Sequence, residues 1–261
     1  MKHTVVLITG WACPPQRIAP LAHQLETRLE VKVVCLDLLD LHHPSQPGGS
    51  RDMPSPYTVR LNKHIQHIPG SALLIGWSMG GMIALEQAAC FPDEITGVVL
   101  IGSTVRFCRS HDWPHGQSAL RVQAMMGGLK IAPGRTLSRF YRECAHPLIL
   151  DKATGETYVN EAMVYDPDQL HDGLKYLSAS DLRDLTSNIE VPTLLLHGRE
   201  DAIIPCSAAE WLHSKLDGSR FTEFAGMGHD LPVRMPEELA EEIAGFVNGD
   251  AVVINRGTHI V

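Results

Sequence analysis

The sequence predicts an α/β fold: a mainly parallel central sheet with helices on both faces, interrupted by an inserted helical lid. Three observations carry this. Short apolar runs of strand length alternate with stretches whose apolar residues recur at helical spacing. The runs are apolar at consecutive positions, as expected of strands covered on both faces. The alternation then fails from about Trp113 to Tyr176, where helix-like pieces follow one another with no clear buried strand.

In chain order, "TVVLITG" (4–10) reads as the first strand. Over 16–29 the residues Ile18, Leu21, Ala22, Leu25 and Leu29 fall at helical spacing. "VKVVCLD" (31–37) is a second strand, and "SPYTVRLNKHIQHI" (55–68) a helix. "ALLIGW" (72–77) is a third strand, leading into a helix over 79–90, and "GVVLIGS" (97–103) is a fourth strand. Within the insertion, 135–144 reads as helical. "PTLLLHG" (192–198) resumes the sheet, "CSAAEWLHSKL" (206–216) is a helix, and "SRFTEFAG" (219–226) is the last strand. The closing helix carries Leu239, Ile243, Phe246 and Val247 on one face. The expected division is a body over 1–112 and 177–249, a lid over 113–176, and a loose tail over 250–261. The Pro-, Gly- and Ser-rich stretch 42–54 reads as an irregular loop.

A length of 261 residues suits one large domain with an insertion. The net charge of −8, from 22 basic and 30 acidic residues, argues against nucleic-acid binding. No run reaches the roughly 18 apolar residues of a membrane helix. Thr9-Gly10 cuts the first run too short for a signal peptide. The six cysteines (Cys13, Cys35, Cys90, Cys108, Cys144 and Cys206) are scattered without a C-x-x-C, which predicts reduced thiols and a cytoplasmic location. Among fourteen histidines the closest groupings are His42-His43 and His111/His115, the latter with Asp112 between. Neither has a familiar ligand spacing, so exposed loop histidines are expected and no metal.

The candidate chemistry begins at "GWSMGG" (76–81). A Gly-x-Ser-x-Gly means little alone, but here it lies between a strand and a helix, the context of a nucleophile elbow. The competing reading is a packing or phosphate-binding turn. Ser78 as nucleophile needs a base. On such a fold the partners follow in the order serine, acid, histidine. "GREDAIIP" offers Asp201 just past a strand end, and "FAGMGHDLP" offers His229. Asp201 is alternatively a helix cap or turn residue, with its neighbour Glu200 as the acid, and His229 a plain loop histidine. An oxyanion hole is expected from the backbone N–H of Met79 and of Trp11, in the loop after the first strand.

With these motifs the chain resembles the α/β-hydrolase superfamily over roughly residues 4–248. "GWSMGG", "FCRSHDWP" (107–114), "RTLSRF" (135–140), "GLKYLSASDLRDL" (173–185) and "GREDAIIP" are similar to the pimeloyl-[acyl-carrier protein] methyl ester esterases of biotin synthesis. The resemblance implies an α/β-hydrolase fold and a serine carboxylesterase that needs no cofactor. It would cleave the methyl ester of pimeloyl-acyl-carrier protein through an acyl-enzyme on Ser78. It implies substrate-binding roles for Trp11, Trp77, Ser78, Met79, Phe140 and His229; core packing is the alternative for the aromatic residues. Between Pro114 and Arg142 lie five basic residues (Arg121, Lys130, Arg135, Arg139, Arg142) and no acid. Arg135, Arg139 and Arg142 share a face if 135–144 is helical. Arg135 and Arg139 match the carrier-docking arginines of the resembled family, so an acidic acyl-carrier protein is the expected partner; a solvated lid face is the alternative. The chain departs from the family in having Thr9 where a histidine precedes Gly10-Trp11, and "LLDLHHPSQPGGS" where a Gly-x-Gly-x-Ser is usual. Two other functions stay open at this point: a general small-molecule carboxylesterase or C–C bond hydrolase, and a non-catalytic ligand-binding protein that keeps the hydrolase shell.

Overall fold

The computed structural model describes residues 4–42 and 54–249. His43, nearly all of the 42–54 loop and the tail 250–261 lie outside the described residues. The elements run β1 (Thr4–Ile8), α1 (Ala19–Leu29), β2 (Lys32–Leu36), α2 (Leu38–Leu41), α3 (Pro56–Ile65), β3 (Ala72–Trp77), α4 (Met79–Cys90) and β4 (Ile95–Ile101). Then come α5 (Ala119–Ile131), α6 (Pro133–Ala145), α7 (Lys152–Ala162) and α8 (Pro167–Ala179). The chain ends with β5 (Thr193–Gly198), α9 (Cys206–His213), β6 (Arg220–Phe224), α10 (Leu231–Arg234) and α11 (Pro236–Asn248). Four helices thus separate β4 from β5, where the sequence breaks its alternation.

All six strands are parallel, in the order β2-β1-β3-β4-β5-β6. Alternate residues feed opposite layers. Val5, Leu7, Leu73, Ile75, Val99 and Ile101 pack against Leu21 and Leu25 of α1 and Ile243 and Phe246 of α11. Val6, Ile8, Leu74, Val98 and Leu100 face the layer that contains α3, α4 and α9 and continues beneath the lid helices. Because the chain leaves β1 for β2 on one side and returns to β3 on the other, the strand order reverses between β1 and β3. The crevice beyond the carboxyl ends of strands at such a reversal is where open α/β sheets bind ligands. Trp11 follows β1 and Ser78 follows β3, so both stand at that crevice.

Helix α4 is buried nearly all round, which suits its apolar sequence MGGMIALEQAAC. Its one carboxylate, Glu86, is 1% exposed and fully engaged. It accepts from Ser55 N (2.7 Å), Ser55 Oγ (2.6 Å), Thr58 Oγ1 (2.7 Å) and Tyr176 Oη (3.3 Å). Ser55 also caps α3 by accepting from Thr58 N. One buried acid therefore ties α3 and the lid helix α8 to the helix that follows Ser78. A buried acid is tolerated when its lone pairs are filled in this way.

Candidate active site

Ser78 sits between β3 and α4 at φ 57° and ψ −119°, a conformation costing about 1–3 kcal/mol for a residue with a side chain. The surroundings hold it there. Ser78 N donates to Ile101 O (2.9 Å), while Ser78 O accepts from Gly81 N (3.0 Å) and Ser103 Oγ (2.8 Å). The turn closes so tightly that a Cβ on Gly76 would lie 2.5 Å from Gly81 Cα. A Cβ on Gly80 would lie 2.6 Å from the carbonyl oxygen of Ile8. Both glycines of the motif are therefore required by backbone contact.

His229 Nε2 lies 2.9 Å from Ser78 Oγ, and its Nδ1 lies 2.7 Å from Asp201 Oδ2. Asp201 is 7% exposed and His229 1%. The second Asp201 oxygen accepts from Ile203 N (2.7 Å) and Ile204 N (2.8 Å), which fixes the orientation of the carboxyl group. Glu200, the alternative acid, is occupied elsewhere: its carboxylate accepts from Gly226 N at 2.8 Å. With Nδ1–H held by Asp201, Nε2 is left to take the Ser78 proton. A second histidine, His197, stands 3.5 Å from Asp201 Oδ2, and burial lowers its pKa, so it is neutral beside the acid. No sequence signal marked it.

Met79 opens α4, where the first-turn N–H groups have no intrahelical acceptor and the helix dipole favours negative charge. Trp11 lies in the turn after β1. Its indole Nε1 donates to Leu170 O of the lid at 2.8 Å, and its ring meets Phe140 edge-on at 5.0 Å. Trp77 donates Nε1 to His229 O at 2.9 Å. Trp11, Trp77 and Phe140 line a small cavity with Ser78 and His229. A second, largely apolar cavity of about 40 Å³ runs from Ser78 and Trp11 past Phe107, Leu174 and Ile203 to Arg121 and Glu143. The site thus offers a nucleophile, a base, an oriented acid and unpaired backbone donors beside an apolar channel, the equipment of acyl transfer.

The three lid arginines are split. Arg135 and Arg139 line an outer groove of about 350 Å³ between α5 and α6. Arg142 lines a different groove, against α7, with Asp151 and Glu156. The i, i+4, i+7 spacing keeps the three on one side of α6, while the packing of α5 and α7 gives them to two grooves. Glu143, immediately after the acid-free interval, pairs with both Arg121 and Arg139.

All six cysteines are free. Among the described residues the one cluster with metal-ligand spacing is Cys206, Glu210 and Glu223. Burial and Glu223 push the Cys206 thiol up to about 12, and its Sγ lies 3.5 Å from Glu223 Oε2, the arrangement of a hydrogen-bonded thiol. Asp112, between His111 and His115, is taken by Ser110 and Arg183. His42 pairs with Asp172 at 3.1 Å.

The parallel sheet, the turn at Ser78 and the inserted helices define a fold of the α/β-hydrolase class, and residues 5–242 match the alpha/beta hydrolase family. The chain belongs to that family. Within it, the chain is 31% identical to the pimeloyl-[acyl-carrier protein] methyl ester esterase of Chromobacterium violaceum over 86% of each chain. It is 29% identical to the protein of that name from Aromatoleum aromaticum, over 94% of this chain and 98% of the relative. Among solved structures it is similar to a bromoperoxidase from Bacillus anthracis (TM-score 0.84, 22% identity, 95% and 92% of the two chains). It is also similar to an esterase from Exiguobacterium antarcticum (TM-score 0.79, 22% identity, 94% and 91%). These two carry the fold.

Proposed function

We propose that the protein is a carboxylesterase that hydrolyses the methyl ester of pimeloyl-acyl-carrier protein, a step of biotin synthesis. The observation that carries the reading is the closed hydrogen-bonded chain from Ser78 through His229 to Asp201, at 2.9 and 2.7 Å, in a chain similar to relatives that bear that name.

Ser78 Oγ attacks the ester carbonyl while His229 Nε2 takes its proton. The N–H groups of Met79 and Trp11 hold the oxyanion, each contributing on the order of 10²–10³ in turnover. His229 returns the proton to the departing methoxide, methanol leaves, and an acyl-enzyme remains on Ser78. His229 then deprotonates a water that attacks the acyl carbonyl, and the proton passes to Ser78 as the carboxylate is released. The acyl chain occupies the apolar cavity, and the acidic carrier rests on the lid beside Arg135 and Arg139, steered there by charge. Arg142 contributes from the adjacent groove. No helix among the described residues is long and apolar enough to cross a membrane; we place the enzyme in the cytoplasm with its carrier.

The test is methanol release from methyl pimeloyl-acyl-carrier protein by the purified protein and by Ser78→Ala. Release that disappears in the variant supports the reading. Folded wild-type protein that releases none, yet cleaves short free esters, would favour a general carboxylesterase, for which the apolar cavity is sufficient.

A further inference from the structure

The cavity that starts at Ser78 and the groove on the lid surface share four lining residues, Arg121, Met125, Phe140 and Glu143. These four form the neck between the nucleophile and the outside. Two are apolar, as a passage for an acyl chain requires. The other two are an ion pair, and a charge there needs a reason.

The geometry of the pair supplies one. Glu143 Oε2 accepts from Arg121 Nη2 on α5, and Glu143 Oε1 accepts from Arg139 Nε on α6 at 3.0 Å. Each carboxylate oxygen is taken by an arginine from a different helix. The carboxylate is the more enclosed partner, its side chain 27% exposed against 41% for Arg121 and 72% for Arg139. Arg121 is also braced: its Nη1 donates to Gln117 Oε1 at 3.2 Å. Gln117 Nε2 in turn donates to the carbonyl oxygens of Ala202 and Ile203, both at 2.8 Å. Those residues directly follow Asp201. Arg121 is therefore held in register with the triad, as a group that measures distance from Ser78 should be. One carboxylate between two guanidinium groups leaves the neck net positive, and Arg135 adds to it from the same groove.

We infer that the neck is an anion-binding site whose resting occupant is the carboxylate of Glu143. Its ligand is an ester whose far end carries an anionic oxygen group, either a carboxylate on the acyl chain or a phosphodiester on a carrier arm. Both present two oxygens to two arginines, as Glu143 does, and such charge-assisted pairs are the strong ones. The incoming anion takes Arg121 and Arg139 from Glu143, so Glu143 sets a threshold that neutral esters gain nothing by crossing. This rests on the esterase reading and makes Arg121 and Glu143 its specificity-determining pair.

The experiment compares wild type, Glu143→Gln and Arg121→Gln on monomethyl pimelate and on methyl heptanoate, with calorimetric binding of the product pimelate as a readout that needs no turnover. Expected for Glu143→Gln is a KM for monomethyl pimelate, and a Kd for pimelate, lower by about tenfold, the scale of one charge-assisted hydrogen bond. Expected for Arg121→Gln is a rise of about the same factor. Methyl heptanoate should respond little to either. Equal changes for charged and neutral esters would overturn the inference and leave the pair as a strut between α5 and α6. Unchanged pimelate binding in both variants would overturn it too. If wild type turns over neither ester while pimelate binding still responds as expected, the esterase reading fails and the anion site stands. Methyl pimeloyl-phosphopantetheine separates the two anion sources: whichever ester responds more to Arg121→Gln carries the group that the neck reads.

Discussion

The indole of Trp77 donates to the main-chain oxygen of His229 at 2.9 Å, so the residue before Ser78 fixes the residue whose ring meets Ser78 Oγ. The two rings lie 5.8 Å apart, and Trp77 is 6% exposed. Serine and histidine come from strand ends on different parts of the sheet, and this bond sets their separation without using either reactive side chain.

Trp77→Phe keeps an aromatic ring but leaves the His229 carbonyl without this donor. Loss of a buried hydrogen bond costs about 1–3 kcal/mol. The expected result is a lower Tm and a kcat reduced by about tenfold or more, since misplacement of the base is felt in the chemical step. Steady-state kinetics on a methyl ester, with KM nearly unchanged, checks it.

Gly173 of α8 lies against Trp11, where a Cβ would stand 2.6 Å from Cδ1 of the indole. The indole is pinned by its bond to Leu170 O and has little room to retreat. Gly173→Ala should cost about 1–3 kcal/mol by overpacking and shift the turn that carries the Trp11 N–H. Urea unfolding together with kcat reads both effects; unchanged values in both would mean that the lid yields there.

Asp181 gathers the chain as it leaves the lid. It accepts from Arg106 Nη1 (2.5 Å) and from Arg183 Nε (2.9 Å) and Nη2 (2.8 Å). These donors outweigh its burial and hold its pKa below the usual carboxylate value. A depressed pKa contributes stability above the unfolded value, near 3.9, and loses it as pH falls through the folded value. Asp181→Asn should therefore lower Tm at pH 7 by about 2–4 °C, as a loss of about 1 kcal/mol does in a chain of this size. The difference from wild type should shrink as the medium is acidified below about pH 4. A constant gap across that range would show that the carboxylate charge is not what matters.

The strands and the Ser78 turn were readable because one local cause makes each of them. A fully covered parallel strand must be apolar at successive positions, and the turn needs glycines where backbones touch. The meeting of Ser78, Asp201 and His229 was readable because strand ends converge at one edge of the sheet. Asp201 was preferred to Glu200 for its place past the strand end, and the turn geometry, which no spacing reports, sends Glu200 toward Gly226. The surroundings of the lid arginines were not readable, for a different reason. Arg135, Arg139 and Arg142 satisfy helical spacing, but neighbouring helices divide them between two grooves, and no sequence spacing reports that. Glu143 had a visible signal, four residues beyond Arg139. Its bond to Arg121 did not, because it depends on how α5 packs on α6. The expected 16–29 helix begins instead as a tighter turn over Pro15–Ile18 before α1. Glu86 was the neglected clue: a lone acid within a run as apolar as α4 is either fully bonded or absent.

Helix α6 is anchored at one end. Near its C-terminus the carbonyl of Cys144 accepts from His229 N (3.0 Å) and Asp230 N (3.2 Å), and Tyr141 Oη donates to Ala12 O at 2.5 Å. The same end meets α5 through the ion pair of Glu143 with Arg121, and toward the other end Thr136 packs against Gly128 of α5. The helix is thus rooted at one end, where Tyr141 and Cys144 hold the turn after β1 and the loop of His229, and the same end supplies Phe140 and Glu143 to the neck. Passage and alignment therefore share one stretch of helix: a substitution over 140–144 that widens the way to Ser78 also disturbs the seat of the His229 loop.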